Sequence, residues 1–199
     1  VVESKPAFAA SFSAQGGTVT GEQGFTQDTT DFRTILAKLI APPAGGSAGG
    51  PASVAIFGLQ RDCALATEQL RALGYRGQLY GFTCMDDPEV LAIAKTDLEG
   101  AVFVSFNGMP TPKFSALVKI AYGHEPLRWS AEAFDGLKLM ALALLRAYDG
   151  EHSITSENLR ETLTHLTSYS GEAGTVQFDT EGNATRSLYT KTVRGGRIE

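Results

Sequence analysis

The chain has 199 residues, 43% hydrophobic and 20% charged, with 17 basic against 22 acidic side chains and a net charge of −5. That size suits one good core or two modest lobes, and the acidic balance offers no electrostatic reason to expect nucleic acid or anionic lipid as a partner. No run approaches the roughly 20 apolar residues of a membrane span. Val1–Pro6 has neither the basic start nor the apolar stretch of a signal peptide, and the chain does not begin with Met, which leans toward a processed chain or a fragment.

In chain order, Pro6 suits a first helical turn, with Phe8 and Phe12 one turn apart and Gly16–Gly17 as the stop. Thr18–Phe25 alternates weakly and is expected to be a strand. Thr30–Asp31 starts a second helix whose Phe32, Ile35, Leu36, Leu39 and Ile40 form an apolar stripe. Ala41–Pro51 is a flexible connector by composition. It is not a phosphate loop, because no Gly-Lys-Ser/Thr follows and the next element is a strand.

The stretch from Ser53 to Phe106 organises the rest. Val54–Phe57, Gln78–Phe82 and Ala101–Phe106 are short β-prone runs, separated by amphipathic segments at 62–73 and 88–95. Strand, helix, strand, helix, strand predicts a parallel sheet flanked by helices, because parallel neighbours need long right-handed crossovers. Asp62 is expected to cap the first helix and Gly74 to end it; Asp87–Pro88 starts the second. In such a sheet, ligands gather outside the carboxyl ends of the strands. Here those ends carry Gly58–Arg61, Thr83–Asp86 and Phe106–Gly108.

Thr111–Pro112 opens a helix with Phe114, Leu117, Val118 and Ala121 on one stripe. After the loop His124–Pro126, Ser130 opens the longest helix, about 131–149, with Phe134, Leu137, Ala141, Leu144, Leu145 and Tyr148 on one face. Leu139, Met140 and Leu142 widen that face, which predicts burial on more than one side. A last helix follows Thr155–Ser156. Gly174–Val193 is read as two strands joined by the turn Asp179–Asn183.

Cys63 and Cys84 make no metal pattern. The sheet places both at the same end of neighbouring strands, either as two thiols or as a disulfide; a disulfide would close a loop of about 20 residues, worth on the order of 3 kcal/mol, and imply an oxidising compartment. His124, His152 and His165 have no ligand spacing. Asp179, Glu181 and Asn183 echo a calcium loop only faintly, with glycine misplaced and no closing glutamate. No nucleophile elbow, zinc helix or dinucleotide loop is present.

Several segments together resemble the type I periplasmic binding proteins that serve branched-chain amino acid ABC importers. Thr30–Asp31–Phe32 with Leu36 and Leu39, the AIFGLQ strand end, the helix to ALGY, QLYG and LEGAVFVSF follow that family's order and spacing. Ala133–Phe134–Asp135–Gly136 is similar to its Y-D-A helix start. Ser170–Asn183 is similar to its closing G-x-x-G-x-V-x-F-D-x-x-G-N/D signature. The resemblance implies two α/β lobes joined by three crossings. Residues 1–112 would be the second lobe, 113–169 helices of the first lobe, and 170–199 strands crossing back, so the chain is expected to be a fragment holding half a cleft.

The implied function is extracytoplasmic, in the periplasm: capture of a small polar ligand, an amino acid or related carboxylate or amide, between two lobes and delivery to an ABC transporter permease. Hinge closure does the work and no bond is made or broken, so no enzyme activity, cofactor or metal is expected. The candidate ligand-binding residues are Gln60, Arg61, Thr83, Cys84, Met85, Asp86, Phe106 and Asn107. Gln60 falls where the amino acid binders place an aromatic contact, and Thr83 where they place the carboxylate that clamps an ammonium. Asp86 or Asp87 supplies that carboxylate instead, or caps the helix before Pro88. Arg61 holds a ligand carboxylate at a helix N-terminus, or is a solvated surface charge. Phe106 and Asn107 line the pocket floor or end the strand. The rival functions are a ligand-sensing receptor domain of the same fold and a doubly wound enzyme. Apolar helix faces left without a sheet would favour self-association.

Overall fold

The computed structural model describes residues 4–26, 28–42, 50–106, 110–151 and 154–199. Most of the Ala41–Pro51 connector, Asn107, Gly108 and His152 lie outside the described residues. The chain divides into two compact units, Val1–Ser105 with Thr190–Glu199, and Phe106–Tyr189.

The first unit is built on three parallel strands, β1 (Ser53–Ile56), β2 (Gln78–Gly81) and β3 (Val102–Ser105). Ser53 pairs with Gln78 and Ile56 with Gly81, and Tyr80 pairs with Val102, so all three strands end on the same side. Helices α1 (Ser4–Ala14) and α2 (Arg33–Ile40) precede the sheet; α3 (Gln60–Ala72) and α4 (Pro88–Ala94) make the two crossovers. Alternation buries Val54, Ile56, Phe103 and Ser105 on one face. Against them α3 turns Cys63, Ala66, Thr67 and Leu70, and α4 turns Val90 and Ala94. Phe32 and Leu36 of the second predicted helix complete this core. Gln69 on α3 holds that helix in place: its Oε1 accepts the Phe32 N–H at 2.7 Å, and its Nε2 donates to the Thr30 carbonyl at 2.8 Å.

The expected strand over 18–25 is not formed; residues 17–26 carry no regular structure. Three glycines dilute this stretch, and its one branched aliphatic residue, Val19, is exposed. The helix over 62–73 starts two residues early, at Gln60.

In the second unit come α5 (Pro112–Tyr122), α6 (Ser130–Glu151) and α7 (Ser156–Thr164), then β4 (Ser168–Gly171), β5 (Gly174–Phe178) and β6 (Ala184–Arg186) in an antiparallel sheet. Thr111 caps α5, accepting the Phe114 N–H at 3.2 Å. Thr155 and Asn158 form a reciprocal capping box at α7. On α6 the expectation of burial on several sides is overturned. Ala131, Asp135, Ala143 and Ala147 are buried, whereas Leu137 is 71% exposed and Leu145 62%. Among the described residues, α6 meets α7 and β4, its Phe134 packs against Phe114 of α5, and Leu139, Leu142 and Leu144 are half-buried, whereas Leu137 and Leu145 stand in solvent.

The tail is also more divided than the two-strand expectation. β5 and β6 flank the predicted turn, where the Asp179 carboxylate accepts the N–H groups of Glu181 and Asn183 at 2.9 and 2.8 Å. The following strand, β7 (Tyr189–Arg194), instead joins the first sheet beside β3 with β8 (Arg197–Ile198), in the order β1-β2-β3-β7-β8. The β7–β8 hairpin turns at Gly195–Gly196, both at positive φ, as a two-residue primed turn requires. The Glu99 carboxylate accepts the Gly195 and Gly196 N–H groups at 2.8 and 3.3 Å.

Candidate functional site

The site is built from the connections that leave β1 and β2. After Ile56 the chain passes through Gly58 and turns into α3. Any side chain at Gly58 would crowd Asp62 and the Phe25 ring, both about 3.1 Å from a built Cβ. Leu59 is the extended residue before α3, and Asp62, inside the first turn, accepts its N–H at 3.3 Å. Asp62 therefore caps from the third helical position, not from in front of the helix. Gln60 and Arg61 become first-turn residues, where N–H groups lack intrahelical acceptors and the helix dipole favours an anion. Gln60 is half-buried and Arg61 exposed. Among the described residues, no carboxylate pairs with Arg61.

After β2, Thr83–Met85 form a single 3-10 turn. Thr83 is half-buried; Cys84 and Met85 are buried, at 5% and 0% exposure, and serve the core. Met85 sits so closely under Gly81 that a side chain there would overlap its thioether. Cys84 is disulfide-bonded to Cys63 of α3 with the Cα atoms 6.4 Å apart. This bond brings the first turns of α3 beside the turn after β2, so Gln60, Arg61 and Thr83 share one end of the sheet.

Asp86 and Asp87 part ways. Asp87 caps α4, accepting the Glu89 N–H at 2.9 Å. Asp86 is buried, and its Oδ2 accepts from Ser105 Oγ at 2.5 Å and from Lys191 Nζ at 2.8 Å, while Oδ1 accepts from Lys191 Nζ at 3.0 Å. The carboxylate is thus already paired with a cation within the first unit. Ser105 and Lys191 were not among the sequence-derived candidates. The available signal was parity: Lys191 shares a strand face with Val193, a buried position, so its ammonium needs a buried partner. Phe106, half-buried, follows Ser105 as the first residue of the second unit.

No group of three or more His, Cys, Asp or Glu side chains suited to a metal occurs among the described residues, and no described helix is long and apolar enough to cross a membrane. A groove of about 450 Å³ lies in the second unit, lined by Leu139, Leu159, Leu163, Leu166 and Phe178. Ser156, Arg160 and Thr164 add polar edges to this mostly apolar lining, which includes none of the candidate site residues.

Parallel strands whose following turns gather at one end, a closing segment that returns to the sheet, and a helical second unit define an α/β chain built from two units. The chain belongs to the periplasmic binding protein family, whose model matches residues 2–197, and its fold is the type I fold of the branched-chain amino acid ABC transporter binding proteins. It is similar to a leucine-binding protein, LivK, from Thermotoga maritima, at 25% identity and TM-score 0.82, over 96% of this chain and 53% of that one. It also resembles LivJ from Streptococcus pneumoniae, solved with isoleucine (21% identity, TM-score 0.75, 96% of this chain and 53% of that one). A third likeness is a solute-binding protein from R. palustris, solved with benzoate (19% identity, TM-score 0.76, 96% of this chain and 52% of that one). The chain spans about half the length of these structures. A search of curated protein sequences gives no match.

Proposed function

We propose that this chain supplies one face of the cleft of an extracytoplasmic solute-binding protein, which captures a small carboxylate-bearing or amide-bearing ligand and presents it to an ABC transporter permease. Val1–Pro112 corresponds to the second lobe in this reading, 113–169 to helices of the first, and 170–199 to the return. The carrying observation is the family match over 2–197. The placement of Gln60, Arg61 and Thr83 at one end of a parallel sheet supports it. Capture works by closure: a ligand that touches both lobes stabilises the closed form in proportion to its extra contacts there. No bond changes.

Ligand chemistry follows from charge. Arg61 and the first-turn N–H groups of α3 suit a carboxylate. Asp86 already serves Lys191 and Ser105, and Asp87 serves α4. A ligand ammonium would have to displace one of these bonds. Thermal-shift measurements with isoleucine, benzoate and small amides test the proposal on the protein produced from its full reading frame. A saturable rise in melting temperature with at least one compound supports it by mass action, and no rise with any of the three classes refutes it. In the same reading, the uncovered α5–α6 face makes the isolated chain self-associate.

A further inference from the structure

Both exits of the chain from the first unit meet on one carboxylate. Ser105 is the last residue of that unit before the first exit, and Thr190 re-enters it one residue ahead of Lys191. Backbone hydrogen bonds join β7 to the start of β3 at Gly100, Ala101 and Val193. At the exit end, the bond runs through Asp86, which takes Ser105 Oγ at 2.5 Å and Lys191 Nζ at 2.8 and 3.0 Å. Ser105 is fully buried, Asp86 is 9% exposed and the Lys191 side chain 19%. Burying two charges carries a desolvation cost that apolar side chains of similar size would avoid, so stability alone does not account for the pair. What an ion pair adds over an apolar contact is direction, because it holds in one geometry and is lost when either strand shifts.

We propose that Asp86 is a latch that fixes the spacing of the two exits, so that the connections at 105/106 and 189/190 flex as one hinge and not independently. Asp86 acts here as a positioning residue: it touches the strands that carry the hinge and needs no ligand. The inference rests on the division of the chain into two units; its use in ligand capture rests on the solute-binding reading. The test below contains no ligand, so the two fail separately.

Nitroxide amino acids introduced by codon suppression at exposed Glu68 on α3 and exposed Glu161 on α7 leave the disulfide intact and report the spread of inter-unit distances by pulsed EPR. The parent is expected to give a narrow distribution. Asp86→Asn and Lys191→Met are each expected to broaden it about twofold, and the double variant to broaden it no further, since all three break one interaction. Amide exchange of β1 and β2 stays at the parent level. An Asp86→Asn protein with parent-like circular dichroism and an unbroadened distribution overturns the latch. Broadening accompanied by lost protection across the whole first unit also overturns it, because a merely structural pair would do the same. If Asp86→Asn does not fold, Ser105→Ala, which removes the hydroxyl that donates to Asp86, decides the matter: a wider distribution supports the latch and an unchanged one rejects it.

Discussion

The Asp135 carboxylate on α6 accepts the backbone N–H of Glu172 at 2.8 Å across 37 residues of sequence. It also accepts the Ala173 N–H at 2.7 Å, and Thr111 closes the same turn from α5 by donating its N–H to the Glu172 carbonyl at 3.0 Å. Gly171 makes room for this, since a Cβ there would overlap the Asp135 carboxyl group. The helix-start motif and the closing glycine motif are thus two sides of one hydrogen-bonded joint. Asp135→Ala leaves two backbone donors of the β4–β5 turn without their charged acceptor and is expected to cost about 3 kcal/mol; Gly171→Ala should also destabilise. Gly136→Ala, a neighbouring helical position with nothing within 4 Å of a built Cβ, should stabilise by about 0.5–1 kcal/mol. Urea midpoints that rank these three variants in any other order contradict the joint.

The Cys63–Cys84 bond joins residues 21 apart and staples α3 to the turn after β2. Replacing both cysteines with alanine is expected to lower stability by on the order of 3 kcal/mol. A reductant should lower the melting temperature of the parent and leave the double variant unchanged. Equal melting of the parent with and without reductant would remove the staple from the account.

Asp31 carries the pH prediction. The side-chain hydrogen bond from Arg33, and then the Arg33 N–H, hold its carboxyl at about 2, below the ordinary 3.8. A depressed folded value means that the contribution of this pair to stability is present above pH 3.8 and is lost as pH falls toward 2. Carboxyl NMR should find the Asp31 midpoint near 2, and Arg33→Gln should return it toward 3.8. A parent midpoint near 3.8 contradicts the pairing.

How far the sequence reaches depends on what each residue's partner is. The helices α3 and α4 are legible because their periodicity faces a sheet built from adjacent sequence, and α4 and α5 declare their starts with Asp-Pro and Thr-Pro. The α3 start is not, since Leu59 precedes it and Asp62 caps from inside the turn. The stripe on α6 is read correctly as apolar, but its surroundings depend on what lies beside it, and Leu137 and Leu145 stand in solvent. At the candidate site, spacing places Arg61 and Thr83 after the first and second strands, and the structure has them in the first turn of α3 and the turn after β2. The role of Asp86 is hidden from local reading because its cation lies 105 residues away.

The uncovered face gives a direct solution prediction. Leu137→Glu with Leu145→Glu alters two exposed positions, so helicity and stability should change little. Sedimentation velocity is expected to show concentration-dependent association for the parent and a sharply reduced association for the double variant. A parent chain that sediments as a single species at every concentration argues against self-association through α5 and α6.

Titration calorimetry on the parent and on Arg61→Ala, using whichever of isoleucine, benzoate or a small amide raises the melting temperature, asks most directly whether the turns after β1 and β2 hold the ligand. The account predicts that Arg61→Ala and Thr83→Val each weaken binding about tenfold or more, the loss of one charged or buried hydrogen bond, with the unliganded stability of Arg61→Ala unchanged. Parent-like affinity in both variants would place the ligand elsewhere and contradict it.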